Sequence, residues 1–97
     1  MEPAGPIARV VEGILERADG SHSPVRAIIF EPIRNEEHGD YSCIVRCRFL
    51  FDEDKRIAGA DLEQAVELAV ILVRPLLQAK GIVLTAERAP DISDNRA

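Results

Sequence analysis

No apolar run in the chain reaches the roughly 18 to 20 residues that a membrane-spanning helix needs. Basic residues are also in short supply. Twelve lysines and arginines face seventeen acids, giving a net charge of −5, and a nucleic-acid partner needs the opposite balance. There are two cysteines, too few for a disulfide scaffold and suited to a reducing compartment. CxxC pairs, zinc-type Cys/His clusters, glycine-rich phosphate loops, GxSxG elbows and metalloprotease helices are all missing. The opening MEPAGPIARVV has neither the basic leader nor the apolar core of a signal peptide. These absences set the expectation of a cytoplasmic protein that uses no metal or cofactor and binds neither nucleic acid nor membrane.

What remains is an ordinary globular composition, 46% hydrophobic and 30% charged over 97 residues, enough for one modest core. Residues 1–6 read as a loose leader, 7–84 as a single domain and 85–97 as a polar tail. The run IARVVEGILER is ambiguous. Ile7, Val10, Val11, Ile14, Leu15 and Ala18 fit helical spacing, whereas the β-branched content and Gly13 favour a strand. A strand over 8–17, paired as a hairpin with 25–31 across the turn cluster DGSHSP, is the reading adopted. YSCIVRCRFLF, residues 41–51, alternates most clearly. Tyr41, Cys43, Val45, Cys47, Phe49 and Phe51 share one face, with Ser42, Arg46 and Arg48 on the other. A short strand is expected at 56–58, and GIVL is suited to a short edge strand.

The boundaries of the long helix are written plainly. Asp61 suits the N-cap and Gln64 completes a D-x-x-Q capping box; Gly81 suits the left-handed stop, with Ile82 packing back. Pro75 predicts a kink without a break. On a helical wheel, Glu63, Gln64, Glu67, Arg74 and Gln78 form a narrow polar arc, while apolar residues cover about 200°, twice what a helix resting on a sheet requires. The architecture expected is therefore α+β, a three- to four-stranded antiparallel meander carrying one long C-terminal helix. The surplus apolar surface predicts a homodimer through Leu62, Ala65, Val66, Ala69, Val73 and Leu76, the alternative being a monomer in which another segment folds over the flank.

Three constellations could carry chemistry. Cys43 and Cys47, four apart in a strand, are separated by about 13 Å, beyond the reach of a disulfide, and read as small buried hydrophobes. Arg26, Arg46 and Arg48 form a candidate anion or partner patch. His22 in the first hairpin turn, with Asp52 and Glu53 beyond the third strand, is a candidate loop site if the sheet is an up-and-down meander. Glu36, Glu37, His38 and Asp40 lie at the far end of that strand, too distant to share a cation with it.

The order of motifs resembles a family of small bacterial domains of unknown function. That family's pattern is a D-aromatic-x-C strand start, then an arginine, a G-x-D step and a Q-A-x-x-L-A helix. Asp40, Tyr41, Cys43, Arg56, Gly59, Asp61, Gln64, Ala65, Leu68 and Ala69 match it within a likeness covering about residues 7–84. The resemblance implies a βββα order and no particular activity, cofactor or catalytic residue. The chain departs from it in lacking a further aromatic in the loop and in carrying Pro75.

Two functions follow as expectations. One is a homodimeric interaction or accessory module of a bacterial cytoplasm, acting on itself and on another protein. The other is a small-molecule or metal-assisted enzyme working at the loops near His22 and Asp52, with no catalytic residue assigned.

Overall fold

The computed structural model describes residues 5–90; residues 1–4 of the expected leader and 91–97 of the expected tail lie outside them. The first ambiguous run is a strand, β1 (Ile7–Glu16), paired antiparallel with β2 (His22–Phe30) from Ile7↔Phe30 to Glu16↔His22. The hairpin turn is closed by Arg17 N donating to Ser21 O, with Gly20 at a positive φ of 88°. Asp19 ties it down, accepting from both the amide and the hydroxyl of Ser21.

After β2 the chain reaches Pro32, which has no N–H to give a ladder. Pairing lapses there and resumes as the two-residue β3 (Ile33–Arg34). β2 and β3 lie along the same side of β4 (Tyr41–Arg46): Ile28 and Ile29 pair with Arg46 and Val45, and Ile33 and Arg34 with Ser42 and Tyr41. On its other side β4 pairs with β5 (Lys55–Gly59). Helix α1 (Leu62–Ala79) then crosses the sheet, and β6 (Ile82–Arg88) returns antiparallel to the free side of β1.

The class is α+β, and the sheet is wider than the three to four strands expected. Six strands take part, with β5 and β6 at the two margins. β1, β2, β4 and β5 form an up-and-down series, but β6 makes the whole more than a meander. The residues 85–88, assigned from sequence to a polar tail, are strand. β4 in turn is shorter than the run 41–51: the chain turns at Cys47, whose carbonyl accepts from the amides of Leu50 and Phe51.

Helix α1 has the ends the sequence dictates. Asp61 has extended backbone angles and its carboxylate accepts from Gln64 N at 2.8 Å. Gln64 reaches back one residue further than in the standard box, accepting from Ala60 N at 2.6 Å. At the other end Lys80 N donates to Leu76 O and Leu77 O and Gly81 takes φ 84°. Ile82 is buried against the core. The helix runs through Pro75 unbroken.

One core fills the space between α1 and the sheet. Val11, Val25, Ala27, Ile29, Cys43, Val45 and Cys47 come from the strands and the turn after β4, and Ala65, Ala69, Val70, Val73 and Leu77 from the helix. A smaller cluster of Ile7, Val10 and Phe30, flanked by Ile28 and Ile44, is separate from it. Gly13 explains why a glycine stands in the middle of β1. A Cβ there would collide with Ile82 Cγ2 and sit 2.8 Å from Val83 O, at the point where the β1–β6 register shifts.

Candidate functional site

Helix α1 decides what the molecule presents to others. Its buried residues, Ala65, Ala69, Val70, Val73 and Leu77, form a stripe about 140° wide at 100° per residue. Apolar residues beside that stripe and near the ends of the helix stay outside. Leu62 is 50% exposed, Leu68 39%, Ile71 62% and Leu76 37%.

This resolves the six residues expected to form a dimer interface into three groups. Ala65, Ala69 and Val73 are fully buried against the chain's own sheet and cannot meet a second copy; that part of the expectation is corrected. Ala65, for one, lies against Gly59 of β5 and accepts from the Cys43 thiol of β4. Leu76 lies on an exposed flank that it shares with Leu68 and Leu72, one turn apart each. Leu62 and Val66 lie on the opposite flank, where they line a groove.

The groove has a volume of about 880 Å³ and is open to solvent. The first half of α1 forms one wall, the start of β1 at Ala8 and Arg9 and the corner Glu31–Pro32 another, and Glu87 of β6 closes the side. The corner is held by Glu31 N donating to Pro6 O at 2.8 Å. Leu62, Val66, Val70 and Ile71 supply an apolar lining; Glu31, Glu63, Glu67 and Glu87 supply carboxylates against the single lining guanidinium of Arg9. Arg74 approaches Glu87 to 3.8 Å. The groove joins four segments, the outermost, Ala8 and Glu87, 79 residues apart, and no local motif could have announced it. The exposed Glu63 and Glu67, one turn apart beside an apolar stripe, are its only sequence trace.

The candidate arginine patch is partly realised. Arg46 makes two charge-assisted hydrogen bonds to Asp54, 3.0 Å from Nε and 2.8 Å from Nη2, and its guanidinium lies 5.1 Å from the Phe30 ring centroid. Arg48 stands 3.4 Å from the same carboxylate and also donates to Asp52 O. Those hydrogen bonds from Arg46 hold the Asp54 carboxyl below its ordinary value. One acid therefore balances Arg46 and in part Arg48. Arg26 lies on β2 opposite Glu12 of β1, and Glu12 accepts from Arg88 Nε at 3.0 Å.

The candidate loop site is not assembled as an acid–histidine cluster. His22 Nε2 faces Glu16 at 3.9 Å across the hairpin, and none of His22, Asp52 and Glu53 lines the groove. Among the described residues no group of three or more His, Cys, Asp or Glu side chains is placed to hold a metal ion. Cys43, in β4, and Cys47, in the turn that follows it, are buried and free. The Cys43 thiol donates to Ala65 O at 3.3 Å, and burial pushes its pKa up. No helix among the described residues is long and apolar enough to cross a membrane. The chain matches no known protein family, no curated protein and no solved structure.

Proposed function

We propose that the protein is a small interaction module that acts as a homodimer, joined through the exposed flank of α1. The observation that carries this reading is the row Leu68, Leu72 and Leu76. Leu68 and Leu76 remain exposed, and Leu72 half-buried between them, after the sheet has covered Ala65, Ala69, Val73 and Leu77. The row repeats every four residues, and its first and last Cα atoms are about 12 Å apart along the helix axis. A two-fold axis beside it would bring the same three leucines of a second copy into contact with the first. Apolar rows of this kind on water-facing helices are partner surfaces more often than idle ones.

Association would be measured by sedimentation equilibrium on the full chain. A dimer that is dissociated by Leu68→Glu or Leu76→Glu, with the helical circular dichroism unchanged, supports the reading. A wild-type chain that stays monomeric at high protein concentration ends it. His22 with Glu16 as its neighbour gives the enzymatic alternative no comparable support.

A further inference from the structure

We propose that the groove between the first half of α1 and the β1–β6 side of the sheet receives a basic, amphipathic peptide segment of a partner protein. The lining has two chemistries arranged for such a guest. Leu62 and Ile71 are large and exposed, and with Val66 and Val70 they give apolar side chains a surface to leave water for. Around them stand Glu31, Glu63, Glu67 and Glu87. Among the described residues, none of Glu31, Glu63 and Glu67 has an ion-pair partner, and only Glu87 is approached by an arginine.

Glu63 and Glu67 are the telling pair. Spaced four apart on a helix they repel one another and destabilise it, and the positive end of the helix dipole favours only the first-turn Glu63 strongly. The chain keeps this repulsion uncompensated at the rim of the groove. A lysine- or arginine-bearing segment relieves it. An acidic or nucleic-acid guest would add to it.

The shape selects a segment over a small molecule. Sites for small ligands bury most of the ligand's surface, whereas this groove is open along the helix and suits a chain laid lengthwise in it. The chain's own terminal segments are poor candidates. Residues 91–97 carry two aspartates against one arginine, and the first four residues carry Glu2. The site is also separate from the Leu68–Leu76 row, so occupation by a peptide need not disturb self-association.

The test is fluorescence anisotropy of the full chain with a labelled amphipathic peptide of leucine and lysine, beside a twin in which every lysine is glutamate. The expected result is binding of the lysine peptide alone, weakening with added salt. Glu63→Gln/Glu67→Gln should weaken it about tenfold, as the loss of two charge pairs of moderate strength requires, and Ile71→Ser should weaken it further. The control Asp52→Asn/Glu53→Gln changes the net charge equally at residues that do not line the groove. Equal weakening by that control would reduce the binding to diffuse charge and overturn the proposal, as would equal binding of the glutamate twin. Dissociation of a dimer by the lysine peptide, read by sedimentation velocity, would also overturn it, because the occupant of the groove would then be a second copy.

Discussion

Gly59 lies directly under Ala65: a methyl group placed on Gly59 would sit 2.5 Å from the Ala65 amide nitrogen and 2.7 Å from its Cα. The last residue of β5 and the first turn of α1 are in backbone contact, with no room between them for a side chain. Because the obstacle is backbone, no rotamer change relieves it. Gly59→Ala should therefore destabilise the fold by about 1–3 kcal/mol, the usual cost of overpacking, read as a lowered urea midpoint.

The two flanks and the buried stripe of α1 should separate under truncation. Leu77→Ala removes a side chain with no exposed surface and should cost about 2–5 kcal/mol. Ile71→Ala, on a largely exposed residue, should stay within about 0.5 kcal/mol. Chemical denaturation of both variants measures the difference. Equal losses would mean that Ile71 is sheltered in solution.

Asp54 gives a pH signature. Hydrogen bonds from Arg46, aided by the charges of Arg46 and Arg48, hold its pKa below the ordinary 3.8 and outweigh desolvation. A carboxyl depressed on folding adds stability that is fully present above the unfolded value and is lost as pH falls through the folded one. Asp54→Asn should thus cost about 1 kcal/mol at neutral pH, at the upper end for a partly exposed pair with two-point geometry. The gap between variant and wild type should close below pH 3.8. Thermal melts at neutral and strongly acidic pH give both numbers.

The thiols should be silent in the native state. Cys43 and Cys47 are buried and unpaired, and desolvation keeps Cys43 from ionising, while thiol reagents need an accessible thiolate. A disulfide-exchange dye should find no fast-reacting group in native protein and two in denaturant. One fast thiol in native protein would contradict the burial of the core's β4 side.

The sequence made the helix ends and the cysteines readable because each depends on neighbours close in the chain. Asp61 meets Gln64 three residues on, and Cys43 sits at an inward position of the alternating strand β4. The first strand was less plain, since Gly13 looked like a weakness in either structure. Its reason, the crowding by Ile82 and Val83, lies 70 residues away. Alternation misled at 41–51. The apolar positions continue past Arg46, but Leu50 and Phe51 pack on the core from a turn. Residues 85–88 looked like a frayed end because an edge strand needs only one apolar face. The wheel of α1 gave the amount of apolar surface correctly and not its allotment. Which part of a 200° arc is used depends on how wide the sheet is, and that width depends on β6. The groove was illegible for the same reason.

The ladder that joins Val10 to Arg88 ties the beginning of the described chain to its end, a contact of high sequence separation whose closure adds entropy cost only slowly with loop length but slows folding. β5 and β6 are each held by one neighbouring strand and the helix, so they are the elements whose amides should exchange with deuterium first among the strands longer than two residues. The margin of the molecule beside the groove is thereby one of the two edges that open most readily.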